Sequence, residues 1–385
     1  MILSVIVVSY NVKFFLEQCL SSIKRAAEQC SFPESRIEVF IVDNDSSDGS
    51  LHFLQPLFPD FHFIHNEENT GFAKANNQAL RLCRGDFVLF LNPDTILAED
   101  SLEVCVSFFS NHPDAGAVGV RMVDGAGKFL RESKRGFPGA AAAFFRMSGL
   151  SSVFPRSRLF SAYYMGHLPE NSTSPVEILS GAFMMVRKSI LDQTGAFDEQ
   201  FFMYAEDIDL SFRISKTGYR NYYVPATTII HFKGESTRKD FRYIKMFYSA
   251  MQLFMKKHFS ERGSSIQSLV LTAGMRSRQT LALMTLPFKK SGRQTKPITS
   301  LFLKGDPDPV KKLKMLLADK HLPVTENEKK AAAIIFCRSD LHPWKFIISE
   351  IAKKQAQAVY YFHGEGTHSI VSSHSSSDQG NVIEL

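Results

Sequence analysis

Asp94 stands just beyond five apolar residues, Phe87-Val88-Leu89-Phe90-Leu91, in the turn Asn92-Pro93-Asp94-Thr95. A continuous apolar run of that length reads as a strand buried on both faces. Pro93 has no N–H to give a ladder, so the strand must stop there. The spacing therefore carries Asp94 to the carboxyl edge of a sheet, where open α/β folds bind their ligands. A carboxylate at that edge can hold a divalent cation, and such a cation usually serves a phosphate.

Three further polar clusters also follow apolar runs: Ser9-Tyr10-Asn11, Asp43-Asn44, and Asn66 through Gly71. In a parallel sheet all four gather at one edge. Asp43 is suited to accept hydrogen bonds from a nucleobase or ribose, although turn and cap chemistry explains Asp43-Asn44-Asp45 taken alone. Asn69-Thr70-Gly71-Phe72-Ala73, ahead of Asn76, opens a helix whose backbone N–H groups can face an anion or simply be capped. Glu206-Asp207-Ile208-Asp209 places three carboxylates at a helix start, which the helix dipole alone favours. The aromatic approach Phe201-Phe202-Met203-Tyr204 suggests burial, and a partly desolvated carboxylate suits a general base. His231 follows the strand-like Thr228–Ile230; a lone histidine is more often structural, so its case rests on being brought near Asp94.

The elements needed to position these residues are legible as alternating strand and helix patterns over the first 120 residues. Ile2–Val8, Val39–Val42, Phe61–Ile64, Phe87–Leu91 and Ala117–Val120 read as strands. Phe14–Ala27, a segment running through Leu82, and Asp100–Asn111 read as helices. Ser133–Pro175 lacks periodicity and has the composition of a binding loop or lid. Phe183–Val186 predicts a strand and about Ala205 to Thr217 a helix. Ile244, Phe247, Tyr248, Met251, Phe254 and Met255 form one helical stripe. Pro287 to Pro297 reads as a linker, and the tail has its own small α/β pattern: Ala333–Phe336, Pro343–Lys354 and Ala358–Phe362. Three units are expected: 1–240, 241–297 and 298–385.

Composition narrows the class. With 385 residues, 44% hydrophobic and 22% charged, the chain is ordinary globular material. Five cysteines without CxxC or zinc spacing argue against a disulfide framework and for a reducing compartment. The N-terminus has no basic n-region and runs straight into a core-like strand, so no signal peptide is expected. No apolar stretch approaches the ~18 residues a bilayer span needs.

The ordered set Val7-Val8-Ser9-Tyr10-Asn11, Val42 through Gly49, Asn69 through Ala73 with Asn76, Leu91-Asn92-Pro93-Asp94, Ser180-Gly181-Ala182, Glu206 through Asp209 and His231 resembles family 2 glycosyltransferases of the GT-A fold. The resemblance covers roughly residues 1–240 and is closest to the bacterial rhamnosyltransferase-like branch of cell-surface polysaccharide synthesis. It implies an α/β, Rossmann-like nucleotide-diphospho-sugar transferase domain with a mostly parallel sheet. It implies inverting transfer of rhamnose or another hexose to a hydroxyl of a glycan or lipid-linked acceptor. Ser9, Tyr10, Asn11, Asp43, Asn44, Asn69, Gly71, Asn76 and Asn92 would bind the donor nucleotide, and Ser180, Gly181 and Ala182 the acceptor. Asp94, with His231, would hold Mg²⁺ or Mn²⁺ on the diphosphate. Asp207 would be the base, and Glu206 would orient the acceptor or support that base. Asn92 stands where the fold's Asp-x-Asp motif has its first carboxylate, so the site carries one charge less.

Ten Lys or Arg against two Asp between Met275 and Leu316 give one strongly basic segment. Met275–Lys314 is read as a contact with an anionic membrane, consistent with a cytoplasmic protein peripheral to the inner face of the plasma membrane. Nucleic acid is not expected, since no nucleic-acid motif accompanies the charge. Two rivals remain at this point. One is a sugar nucleotidyltransferase, disfavoured because Ser9-Tyr10-Asn11-Val12 replaces a Gly-rich basic loop. The other is an inactive nucleotide-sugar-binding or scaffolding protein.

Overall fold

The computed structural model describes residues 2–33, 36–137, 150–235, 241–259, 300–354, 359–373 and 380–385. The expected linker Pro287–Pro297 and residues 275–299 of the basic segment lie outside the described residues. So does 138–149 of the aperiodic segment.

Strand β1 (Leu3–Ser9) is buried along its whole length, because it lies between two parallel neighbours. These are β2 (Ile37–Asn44) and β4 (Phe87–Leu91), and β3 (His62–Asn66) pairs beyond β2. The period-2 alternation of a strand divides β1 between two cores. Leu3, Val5 and Val7 face α1 (Lys13–Glu28), Leu54 of α2 (Ser50–Leu54) and α4 (Ser101–Asn111), while α3 (Phe72–Leu80) packs on the other face. Ile6 and Val8 face the opposite core, filled by Ala75 and Ala79 of α3 and by apolar residues of later helices. β4 divides in the same way, Leu89 and Leu91 against Val88 and Phe90. An apolar run buried on both faces is thus the result of helices packing on both sides of the sheet.

The sheet continues through β5 (Thr95–Ile96), β6 (Ala115–Val123), β7 (Ser174–Val176), β8 (Phe183–Arg187) and β9 (Arg220–His231). Its order is β3-β2-β1-β4-β8-β6-β9-β5, with β7 on β9. Helices α5 (Lys188–Thr194) and α6 (Glu206–Lys216) bury Ile190, Leu191, Leu210 and Ile214 in the second core. β9 is much longer than the expected Thr228–Ile230. Its register against β6 jumps from Val120↔Val224 to Arg121↔Thr228, so Pro225-Ala226-Thr227 bulge out where Pro225 lacks a donor.

After α7 (Phe241–Phe259), a second sheet forms from β10 (Leu301–Lys304), β11 (Ala333–Cys337), β12 (Val359–His363), β13 (Ser369–Ser372) and β14 (Asn381–Glu384). Helices α8 (Pro307–Asp319) and α9 (Trp344–Lys354) accompany it. The two sheets share a core: Val12, Phe15, Ile96, Ala98, Ile230 and Phe232 pack with Phe336, Trp344, Ile347, Ile351 and Phe362. Gly127 marks how close the backbones come. A Cβ there would lie 2.2 Å from the Ile351 carbonyl oxygen, at a φ of +81° that L residues rarely adopt. Gly127→Ala is therefore expected to destabilise the protein by about 2 kcal/mol or more. Chemical denaturation checks this; an unchanged midpoint would contradict the close approach.

Candidate active site

Parallel register sets the ends of the strands side by side. Ser9 pairs with Asp43, Asp43 with His65, and Asn44 with Asn66, while Val7 is level with Leu91. Asn11 takes a left-handed conformation (φ 53°) that lets it clasp the loop after β2. Its N–H donates to Ser46 Oγ (2.9 Å), and its Oδ1 accepts from the Ser47 N–H (2.7 Å). Asp43 accepts from the Ser46 N–H at 3.1 Å through Oδ2 and faces His65 Nδ1 at 3.4 Å.

Asn44 spends its amide on the neighbouring loop. It donates to Asn69 Oδ1 (2.9 Å) and the Gly71 carbonyl (3.3 Å), and accepts from Asn66 Nδ2 and the Thr70 N–H (both 3.1 Å). Asn69 in turn accepts from the Gly71 N–H at 3.0 Å. Gly71 (φ 84°) lies against Phe202, whose carbonyl oxygen would be 2.5 Å from an added Cβ. Asn44 and Asn69 thus hold the loop, and Gly71 lets it meet the segment that leads to Glu206.

Asp94 and His231 come together through backbone pairing. Thr95 is opposite His231 in the β5–β9 ladder, and the Phe232 N–H donates to the Asp94 carbonyl at 2.9 Å. Asp94 Oδ1 lies 3.4 Å from His231 Nε2, and Asn92 Nδ2 lies 3.4 Å from the same nitrogen. Burial pushes the Asp94 carboxyl up, but the adjoining imidazole outweighs it and holds the group below its ordinary pKa. Nearby, the half-buried Glu132 carboxyl is pushed up by desolvation but held below its ordinary pKa by Lys233 at 2.6 Å. Glu235, which accepts from the Gly380 N–H at 2.9 Å, is pushed up to about 8 by burial and by the Asp94 charge.

Among the described residues no three His, Cys, Asp or Glu side chains gather as a metal cluster. Asp94, His231 and Asn92 nevertheless offer carboxylate, imidazole and amide donors side by side, and His231 Nδ1 is buried without a partner among the described residues. A divalent ion whose remaining ligands are diphosphate oxygens and water fits that donor set.

The opposite corner is set by α6. Tyr204 and Ala205 precede it with φ of 72° and 65°, two consecutive left-handed non-glycine residues. Such strain persists only where the surroundings fix it, and it clusters at functional sites. Asp207 Oδ2 pairs with Arg135 Nη2 at 2.5 Å and accepts from the Gly181 N–H at 3.1 Å. Arg135 also donates to the Leu179 carbonyl (2.7 Å), and its carboxylate partner drives its pKa up against the opposing effect of burial. Glu206 is buried beside Asp207. Desolvation first, then the Asp207 charge, raise its pKa well above the carboxylate range.

One turn joins the two corners. The Asn92 N–H donates to the Ala182 carbonyl at 3.1 Å, one residue from the Gly181 amide that holds Asp207. Ser180 Oγ supports the turn from within by accepting from the Ala182 N–H at 3.3 Å. Asp209, though adjacent in sequence, belongs elsewhere: it pairs with Arg213, Lys257 and His258 and ties α6 to α7.

Eleven buried side-chain atoms lack a hydrogen-bond partner among the described residues. Five belong to residues singled out from sequence: Ser9 Oγ, Asp43 Oδ1, Asn76 Oδ1, Glu206 Oε2 and His231 Nδ1. Buried polar groups are nearly always paired, so this concentration marks a surface waiting for water or ligand. Arg135 and the Glu132–Lys233 pair were not foreseen. Arg135 falls in the aperiodic Ser133–Pro175 segment, and Glu132 and Lys233 meet across 101 positions of sequence, so local pattern gave no sign of either.

The profile of glycosyl transferase family 2 matches residues 4–195. An N-acetylglucosaminyl-diphospho-decaprenol L-rhamnosyltransferase of Mycobacterium tuberculosis is 31% identical over 250 residues, covering 62% of this chain and 78% of its own. The rhamnosyltransferase WbbL of Escherichia coli is 31% identical over 180 residues, 44% of this chain and 64% of its own. Among solved structures, a mannosyltransferase from Pyrobaculum calidifontis aligns over 83% of this chain and 79% of its own, with 20% identity and a TM-score of 0.48. The chain belongs to glycosyltransferase family 2, with the GT-A fold and a rhamnosyltransferase-like character. It is an enzyme that transfers sugar from a nucleotide-sugar donor in cell-surface polysaccharide synthesis. Among the described residues no helix is long and apolar enough to cross a membrane.

The raised pKa of Glu206 has a measurable sign. Its proton is held more tightly in the folded chain than in the unfolded one. The resulting stability is complete below the ordinary glutamate pKa and declines as pH rises from there through the raised value. Glu206→Gln should flatten that decline, so its melting temperature should gain on the wild type as pH rises from about 5 to 8. Parallel melting curves across that range would contradict the assignment.

Proposed function

We propose that the enzyme inverts the anomeric centre in a single displacement, with Asp207 as the base. The acceptor hydroxyl oxygen bonds to the anomeric carbon while the bond from that carbon to the diphosphate breaks. Asp207 takes the hydroxyl proton, and the nucleoside diphosphate leaves with the electron pair. The observation that carries this reading is the Ser180-Gly181-Ala182 turn, which contacts Asp207 through one amide and the Asn92 backbone through the next carbonyl. Base and leaving-group corners are thereby held by one short rigid piece.

Asp207 is oriented by three groups, Arg135, the Gly181 amide and the Ile208 amide (2.8 Å). Glu206, kept protonated by burial and by Asp207, adds a neutral carboxyl beside the base. Pairs of carboxyls pushed into different protonation states recur in acid–base sites. Ser9, Tyr10, Asn11 and Asp43 take the nucleoside, with Asp43 Oδ1 free to accept from base or ribose. Asn44, Asn69, Gly71 and Asn76 shape the wall beside it. Asp94, His231 and Asn92 would hold Mg²⁺ or Mn²⁺, and that ion would supply positive charge beside the diphosphate.

The name of the Mycobacterium tuberculosis relative supports a rhamnosyl donor and an acceptor built on a lipid-linked diphosphate. Ser180, Gly181 and Ala182 would border that acceptor. Residues 1–240 form the catalytic unit in this reading, 241–297 a basic extension, and Met275–Lys314 the face turned to an anionic membrane.

Asp207→Asn should reduce transfer by at least about a thousandfold while leaving nucleoside diphosphate affinity within a few-fold. Retention of wild-type kcat would remove Asp207 from the role of base. Calorimetric titration of UDP, GDP and dTDP should show binding that strengthens with Mn²⁺, and equal affinity in EDTA would end the metal proposal. In liposome sedimentation, the protein should pellet with vesicles containing anionic lipid and stay in solution with neutral ones; equal recovery from both would end the membrane proposal.

A further inference from the structure

The unit formed by residues 300–385 touches the catalytic sheet at the segments that carry the proposed metal donors. Glu99, five residues beyond Asp94, is buried, and its carboxylate enters the start of α9. It accepts from the Trp344 N–H (2.8 Å) and the Lys345 N–H (2.9 Å) and lies 3.4 Å from Arg338 Nε. Unpaired N–H groups at a helix start and an adjacent guanidinium form an anion site, and here the anion is a side chain of the catalytic unit itself. Arg338 is buried too and is held in place by Glu365 (2.9 Å) and Asp340 (3.2 Å). Lys345 closes the rim on Asp100 at 2.7 Å.

The same unit grips the other donor. Glu235, four residues beyond His231, accepts the Gly380 N–H, and Phe232 packs between Phe15 and Phe362 at centroid distances of 5.1 and 5.6 Å. Between these two grips lie Asp94, the two-residue strand β5, and the end of β9. A ladder of only two residue pairs, Thr95↔His231 and Ile96↔Ile230, is too short to be rigid alone. Ile96 and Ile230 lie instead in the core that the catalytic unit shares with α9 and β12.

We propose that Glu99 and Arg338 are positioning residues through which the C-terminal unit sets the spacing of Asp94 and His231, and so the affinity for a metal-bound nucleoside diphosphate. This rests on the donor-site reading above. Direct partners of metal ligands typically change metal affinity by about 10–100-fold when removed; Glu99 binds Trp344, Lys345 and Arg338 rather than either donor and acts through the backbone between, which puts it at the low end of that range. Full-length Glu99→Gln should therefore lose about tenfold in affinity for UDP, GDP or dTDP measured with MnCl₂, and change little in EDTA. Arg338→Lys, which keeps the charge but loses the planar fork, should fall between that variant and the wild type.

A folded Glu99→Gln with unchanged Mn²⁺-dependent affinity would overturn the proposal. Because both residues are buried, the wild-type chain supplies a second test. Coupling is reciprocal, so nucleoside diphosphate with MnCl₂ should slow hydrogen exchange at 338–345 as well as at 92–99 and 43–48. Slowing at 92–99 and 43–48 without 338–345 would overturn the positioning role alone. No slowing in any of the three would overturn it together with the donor-site reading.

Discussion

The donor edge of the site depends on the register of one buried strand. β1 has parallel neighbours on both sides, and its alternate residues belong to two different cores. A slip of one residue would exchange those faces and bury each side chain in the wrong layer. The hydrophobic pattern thus locks Ser9 opposite Asp43 and brings the turn after Leu91 to the same edge. Apolar packing places the polar residues; their own hydrogen bonds only refine the loops between them.

The polar edge is not a low-energy surface in isolation. Ser9, Asp43, Asn76, Glu206 and His231 each bury an atom without a partner among the described residues. An unmet buried group costs roughly 1–3 kcal/mol, so five approach the whole net stability of a domain. Tyr204 and Ala205 add left-handed strain beside them. Such an edge persists because the two cores and the shared interface over-determine it. Water and substrate are what relieve it.

Local pattern made most of the fold readable. Phe87–Leu91 is bounded by Pro93 and comes out residue for residue as β4, and the start of α6 falls at Glu206 as its acidic residues suggest. Thr228–Ile230 was the visible remnant of a strand beginning at Arg220, hidden because Pro225 interrupts the pattern at the bulge. The polar residues of the site were found because they cluster after apolar runs. Their division of labour was not legible. Nothing in Glu206-Asp207-Ile208-Asp209 says that Asp207 meets Arg135, 72 positions earlier, while Asp209 turns to α7. Those outcomes depend on helical phase and on partners remote in the chain.

The clasp between Glu17 and the start of β13 bears on how this protein emerges from the ribosome. Glu17 accepts from the His368 N–H at 2.7 Å and from Ser369 Oγ at 2.6 Å, across 351 and 352 positions of sequence. Gln18 adds contacts to Gly364 and Ser369. At translation rates of 5–20 residues per second, these partners are synthesised roughly 20–70 seconds after the helix that receives them. Through that interval α1 must keep a buried carboxylate and an apolar flank without their cover. Contacts this distant in sequence also slow the final closure. Until β13 is made, the carboxylate of Glu17 has neither of these donors.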